Sequence, residues 1–356
     1  MGNGRARRVT IADVAARAGV SSGAVSFALN DRPGVGELTR QRILDAAAEL
    51  NWTPNVRARS LSRSRSFAVG LVLARPPETL GADPFFPAFI AGVESLLAEV
   101  GYSLVLTVVP DTEAEVRTYR RMSSEGRVDG VFLTDLRRRD PRIDLLTELG
   151  LPTVTLGRPD VASPFPAVTL NDAAGVSELV RALLARGHTS ISHVCGPMQF
   201  LHVRSRRSAW RRTLVRAQVQ PGPVVVADFS AAGGAAATER LLRAAEPPTA
   251  IVYGNDVMAI AGMGVAQQHR VAVPQRLSVT GFDDIDLARH VHPSLSTVRS
   301  NPGEWGRTAA GVLLDLVNGL PVHDIDLPAA EMVARSSIAR APKTNTNSQP
   351  RRQENS

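Results

Sequence analysis

The sequence has a single cysteine, Cys195, so no disulfide can form within the chain. It has no uninterrupted apolar run of about 18 residues, so no membrane-spanning helix is expected. Met1 to Thr10 is polar and basic, and the apolar residues that follow are broken up by Asp13, Arg17 and Ser21. No export signal is expected, and the protein is expected in the cytoplasm. The short motifs of common enzyme chemistry are missing too. There is no Gly-x-Gly-x-x-Gly, no phosphate loop and no clustered His/Cys spacing for a metal. Neither cofactor, metal nor catalytic turnover is expected. His188 follows Gly187 at what reads as a helix stop, without the neighbours a catalytic base needs.

What is present points elsewhere. The 356 residues, 44% of them apolar, are enough for two or three domains with a large core. Residues 1–66 hold eleven arginines against five carboxylates, which is +6 of the chain's net +7. Positive charge gathered at one end is the footprint of a polyanion-binding module.

Local patterns in that basic end predict three helices. Thr10 can cap the first, with Asp13 three residues later in a capping-box arrangement. Ile11, Val14, Ala15 and Ala18 recur at helical spacing, and Gly19 offers a left-handed stop. Ser21 caps a second helix over about 22–29, with Val25 and Leu29 inward and Ser22, Gly23, Ser26 and Phe27 on other faces. A third spans about 37–50, with Leu38, Ile43, Ala47 and Leu50 facing the core. Two short helices joined at a glycine form a helix-turn-helix, whose second helix enters the major groove of DNA. Three-helix bundles without a nucleic-acid role share this pattern, so further residues must decide.

Those residues are Val9 to Ser21, Ala24-Val25-Ser26-Phe27-Ala28-Leu29-Asn30, Ala48 to Asn55, and Ala58-Arg59-Ser60-Leu61. Together they resemble, without gaps, the opening of the lactose-repressor/galactose-repressor family of bacterial regulators. The resemblance implies a headpiece over 1–54 and a hinge helix and linker over 55–66. Ser22 and Gly23 would choose bases, with Ser21, Val25 and Ser26 completing the reading helix. Thr10 is counted with this DNA-contacting set. Asn55 to Leu61 matches a hinge helix that enters the minor groove, where Leu61 would wedge into the central base step. Arg57 and Arg59 fall in that segment, and Arg57 is placed to reach a phosphate. Phe27 stands where several members carry an arginine; it either packs on a thymine methyl or covers the bundle. With so few side chains able to hydrogen-bond bases, much of the specificity is expected from hinge insertion and DNA shape.

From Phe67 the pattern changes. Apolar runs of strand length, such as Ala68–Ala74, Thr153–Leu156, Ala250–Tyr253 and Ser278–Phe282, alternate with helical stretches such as Ala88–Val100, Asp172–Arg186 and Asp256–His269. That alternation predicts doubly wound parallel sheets in two lobes over 67–340, with crossings near Pro164–Pro166 and Pro293–Ser300. From Ala341 the chain is polar and without periodicity and reads as a disordered tail, 341–356. Cys195 and Trp210 read as core, and Trp305 as packing. The resemblance continues here, for example in Asp83-Pro84-Phe85-Phe86, Asn255-Asp256 and Gly281-Phe282-Asp283-Asp284, and implies a core like that of periplasmic binding proteins.

Ligands bind at the carboxyl ends of strands in such sheets. Asn255 and Asp256, Asp283 and Asp284, and Asp172 each follow a predicted strand, while Phe85 and Phe86 sit in the loop after the first. Carboxylates, an amide and aromatic faces suit a polyhydroxylated ligand such as a sugar. The resemblance assigns effector contacts to Arg206, Asn255 and Asp283, a further polar contact to Asp172 and aromatic positions to Phe85 and Phe86; Phe200 occupies a position that is polar in some members. Asn255 equally suits a helix cap, and Asp256 and Asp284 read as structural.

The reading that emerges is a DNA-binding regulator, a repressor by the resemblance, controlled by a small molecule. A transport-type solute-binding protein would need an export signal and has no use for the basic end. A sugar enzyme would need a catalytic motif. One headpiece reads one half-site, so a homodimer on a near-palindromic operator is expected.

Overall fold

The computed structural model describes residues 9–29, 33–52, 65–76 and 83–343. It divides into two compact units, Met1–Phe67 and Ala68–Ser356.

The first unit packs α1 (Ile11–Ala18), α2 (Ser22–Leu29) and α3 (Glu37–Glu49) around one small core. The Asp13 carboxylate accepts from the Thr10 backbone N–H at 2.8 Å and from its hydroxyl at 2.7 Å, which fixes the start of α1. Gly19, at φ 67°, ends it and turns the Val20 N–H back onto the Ala15 carbonyl at 3.0 Å. An ion pair of 2.5 Å between Arg17 and Glu49 ties α1 to α3, and Arg40 donates to the Ala28 carbonyl at 2.9 Å. Leu38, expected inward, is 87% exposed. The buried stripe of α3 is Ile43, Ala46 and Ala47, and five residues back from Ile43 lies about 140° round the helix.

The second unit has two lobes. The first lobe is built on a six-stranded sheet in the order β11-β5-β4-β3-β1-β2, every pair parallel. Its strands are β1 (Ala68–Ala74), β2 (Ser103–Val109), β3 (Gly130–Leu133), β4 (Thr153–Leu156), β5 (Ala167–Thr169) and, from far down the chain, β11 (Ile325–Asp326). Helices α4 (Phe85–Val100), α5 (Thr112–Ser124) and α6 (Arg142–Glu148) alternate with them. The second lobe is a parallel four-stranded sheet, β7-β6-β8-β9, formed by β6 (Ile191–Cys195), β7 (Val224–Val226), β8 (Ala250–Tyr253) and β9 (Ser278–Thr280). It is interleaved with α7 (Asp172–Leu184), α8 (Leu201–Arg216), α9 (Ala231–Leu242) and α10 (Asp256–Gln268). β10 (Thr297–Arg299) and β12 (Glu331–Val333) form an antiparallel ribbon, and α11 (Pro302–Val317) returns the chain to the first lobe.

Strands buried on both faces explain the near-continuous apolar runs, of which β1 is the clearest. Cys195 and Trp210 lie in the cores that flank the second sheet, as the sequence predicts. The first crossing falls beyond Pro164–Pro166, because Ala167 still pairs with Thr155 of β4. The chain crosses back between β10 and α11, close to the expected place. A third crossing follows β11 and has no counterpart in the sequence reading, since a two-residue strand leaves no periodic signal.

α4 and α11 meet backbone to backbone. A Cβ on Gly92 would lie 1.9 Å from the Gly303 carbonyl oxygen, and one on Gly306 would lie 2.2 Å from that of Phe89. His188 pins the end of the chain: Nδ1 bonds Thr249 Oγ1 at 2.9 Å and Nε2 bonds the Ala339 carbonyl at 3.1 Å. Ala341 still donates to the Arg186 carbonyl at 2.9 Å, and the rest of the expected tail, from residue 344, lies outside the described residues. No described helix is long and apolar enough to cross a membrane.

Candidate functional site

In the first unit, α2 presents a face of small polar side chains. Ser21, Ser22 and Gly23 are exposed and Ser26 is half-buried. The Ser21 oxygen accepts from the Ala24 N–H at 3.2 Å, so it caps the helix and still holds a hydroxyl proton to offer. A Cβ on Gly23 would touch only Ser21 Oγ, at 3.7 Å, so packing inside the unit does not require glycine there. Phe27 is 42% exposed, and its ring lies about a contact distance from where a Gly34 Cβ would be, at 3.6 Å. It thus covers a loop and remains open to a partner. Val25, counted with the reading helix, is corrected: it is fully buried among Val14, Ile43 and Ala47 and holds α2 in place. Thr10 is exposed, its hydroxyl engaged by Asp13. Asn55, Arg57, Arg59 and Leu61 lie outside the described residues.

In the second unit, a cavity of about 270 Å³ opens between the carboxyl ends of the two sheets. Each of its polar groups comes from a strand end or the first turns of the next helix. Arg75 follows β1, Asp135 follows β3, Asn255 follows β8 and Asp283 lies just beyond β9, while Asp172 begins α7 and Arg206 lies on α8.

Five expected residues line this cavity: Phe85, Asp172, Arg206, Asn255 and Asp283. Arg206 Nε donates to Asp172 Oδ2 at 2.7 Å, and one Nη donates to the Gly254 carbonyl at 3.2 Å. Asn255 is committed at both ends of its amide: its oxygen caps α10 through the Met258 N–H at 2.9 Å, and its nitrogen donates to the Phe229 carbonyl at 2.9 Å. The cap therefore accounts for most of its bonding. Asp283 differs from these. Its backbone sits at φ 114°, held by its N–H on the Val298 carbonyl at 2.8 Å, and among the described residues its carboxylate accepts no hydrogen bond. Burial pushes that carboxyl well above the usual range; Arg206 opposes the shift and the charge of Asp256 adds to it. Asp256 and Asp284 are structural, as read: Asp256 takes the Ile285 N–H at 2.9 Å and the Thr297 hydroxyl at 2.5 Å, and Asp284 takes Arg299 and Arg335.

Two expected aromatic positions are corrected. Phe86 and Phe200 are buried behind the cavity and do not line it. Their rings cover Arg75, whose guanidinium carbon lies 4.9 Å and 5.5 Å from the two centroids. Trp305, read as packing, does both jobs: Nε1 donates to the Val168 carbonyl at 2.9 Å, and the ring lines the cavity edge-on to Phe85.

The inner end was not foreseen. Arg75 is buried between two carboxylates, with Nε and Nη2 on Asp135 at 2.7 and 2.8 Å and Nη1 on Asp83 at 2.8 Å. Burial works against ionisation of Asp135, yet the charge and paired hydrogen bonds of Arg75 outweigh it and hold that carboxyl low. Asp83, with a single guanidinium bond, is pushed up by burial. Beneath them, Arg142 donates to the Thr134 and Asp135 carbonyls at 3.1 and 2.9 Å and is itself neutralised by Glu115 and Asp140, which fixes the loop carrying Asp135. His202 is stacked between Phe200 and Phe229, with centroids 5.5 and 6.0 Å away. Burial, with Arg206 nearby, drives its pKa down to about 3, so it is neutral. Arg75 directly follows β1 and Asp135 lies two residues past β3, and the rule that picked out Asn255 and Asp283 would have found them.

This geometry can be set beside known proteins. Residues 10–55 match the bacterial regulatory proteins of the lacI family, and residues 180–338 match a periplasmic binding protein-like domain. The HTH-type transcriptional regulator CelR of Thermobifida fusca is 32% identical over 328 residues, covering 91% of this chain and 96% of that protein. The solved structure of a transcriptional regulator CelR–cellobiose complex superposes with a TM-score of 0.71 at 29% identity, covering 93% of this chain and all of that one. The lac repressor dimer bound to operator and the anti-inducer ONPF superposes with a TM-score of 0.81 at 27% identity, covering 94% and 100%. The chain belongs to the lacI family of bacterial regulatory proteins, and is a DNA-binding transcriptional regulator with an effector-binding core.

Proposed function

We propose that the protein is a cytoplasmic, homodimeric repressor that binds a near-palindromic operator and answers to a carbohydrate effector in the interlobe cavity, without turning it over. The observation that carries the effector reading is Asp283, whose carboxyl in the cavity wall accepts no hydrogen bond among the described residues and faces a cavity also lined by Phe85, Trp305 and Arg206. A pair of sugar hydroxyls supplies the missing donors, and aromatic faces cover the apolar C–H side of a pyranose. The similarity to a regulator solved with cellobiose supports a sugar of that kind. Dimerisation and operator symmetry rest on the likeness to a repressor dimer solved on its operator. Coupling requires the effector to favour one arrangement of the lobes over the other.

The test starts with selection from a random duplex library by the full-length protein, followed by anisotropy on the selected duplex and a scrambled one across salt. A preference of about a thousandfold or more with a steep salt slope is expected. A panel of mono- and disaccharides added to the complex should contain at least one that changes operator affinity. Equal binding to both duplexes, or product formation from a sugar above background, would overturn the reading.

A further inference from the structure

We infer that the cavity selects its occupant by charge: it admits a polyhydroxylated molecule without a negative charge and excludes phosphorylated or carboxylated ones, and Asp83 and Asp135 enforce this by occupying Arg75. The inference rests on reading the cavity as the effector site.

Three guanidinium groups line the cavity, and each could receive an anion. All three are already claimed. Arg75 gives three N–H bonds to two carboxylates, with side chains of Arg75, Asp83 and Asp135 only 7%, 10% and 13% exposed. Arg206 is held by Asp172. Arg158, at the exposed rim, lies 3.4 Å from Asp324 and 3.3 Å from Asp326. Asp283 is a fourth acidic side chain in the lining, which holds no further cation among the described residues.

An incoming phosphate would find every lining cation already paired, in a partly desolvated space where it is repelled by the ionised partner carboxylates far more strongly than in water. To bind Arg75 it would have to break a buried ion pair and leave a carboxylate there without its partner. A hydroxyl faces no such conflict. Arg75 keeps two of its five N–H groups for neutral oxygens, and Asp283 accepts from O–H. Burial above all raises the pKa of Asp283; Arg206 opposes the rise, and the charges of Asp256 and Asp83 add to it.

The direct probe is inorganic phosphate, titrated into the full-length protein by calorimetry and 31P line broadening, with Arg75→Met as the control for phosphate bound elsewhere. The wild type should show no saturable phosphate site that Arg75→Met removes. The double variant Asp83→Asn, Asp135→Asn should gain one, and adding Arg75→Met should abolish it. A wild-type site of that kind, or no gain in the folded double variant, overturns the inference. The single variant Asp135→Asn, which keeps the Asp83 pair, provides the same comparison should the double variant unfold. An independent arm compares each sugar that alters operator binding with its 6-phosphate and its uronic acid. The anionic partner should bind about a hundredfold more weakly or worse, and equal or tighter binding overturns the inference. A panel in which no sugar acts sinks the carbohydrate reading alone, and the phosphate titration still decides charge selection.

Discussion

Arg206 lies flat on Phe282: its guanidinium carbon is 3.5 Å from the ring centroid, while Nε reaches Asp172. The stack and the ion pair together fix the plane in which the remaining guanidinium N–H groups face the cavity. Arg206→Lys keeps the charge and loses the plane. Thermal unfolding should show a loss of about 1–2 kcal/mol, and the identified effector should bind at least about tenfold more weakly by calorimetry. Unchanged affinity would remove Arg206 from the site.

Asp283 has the opposite condition: among the described residues its carboxyl accepts no hydrogen bond. Asp283→Asn keeps the size and tolerates the positive φ. The variant should lose most of its effector affinity, about 2 kcal/mol or more for a charge-assisted hydrogen bond. Its unfolding temperature near neutral pH should hold or rise, because an amide has no ionised form to bury. A wild-type response in the DNA-release assay would contradict the assignment.

Asp256 gives a pH dependence. Burial pushes its carboxyl from 3.8 up to about 7. The folded group then holds a proton that the unfolded one has released, so stability falls as pH rises from about 4 to about 7 and levels off above. The prediction is a falling unfolding midpoint across that window in the second unit, flattened in Asp256→Asn. A midpoint that rises across the window in the wild type and is unaffected by the substitution would exclude it.

Gly23 separates recognition from folding. Because a methyl there meets nothing closer than 3.7 Å, Gly23→Ala should stabilise the first unit by about 0.5 kcal/mol through helix propensity. The same methyl stands on the outer face of α2, so library selection should return a changed or weakened operator. An unchanged operator would mean that this position does not face the bases.

The legible parts of the molecule were those decided locally. Ala68–Ala74, Thr153–Leu156 and Ala250–Tyr253 are strands with the expected limits, because a strand buried on both faces is apolar along its length. The Thr10, Gly19 and Ser21 signals place α1 and α2 for the same reason. Leu38 shows the limit, apolar yet turned outward; Val25 points into the core as its spacing predicts, and it is the base contact implied by the resemblance that fails. The strand-end rule marks Arg75 and Asp135 one at a time, but they are 60 residues apart, and nothing in either segment announces that they pair. Phe86 and Phe200 look like cavity aromatics until the position of Arg75 is known.

The first lobe is not continuous along the chain. At Gly92 and Phe89 its helix α4 rests against Gly303 and Gly306 of α11, and its sheet ends in β11; α11 and β11 both follow the second lobe's sheet in sequence. A nascent chain leaving the ribosome therefore exposes β1 to β5 and the bare face of α4 long before their last partners exist. The second lobe is completed later still, by β12 and Ile338, and the waiting segments of both lobes are the ones that a chaperone would have to cover.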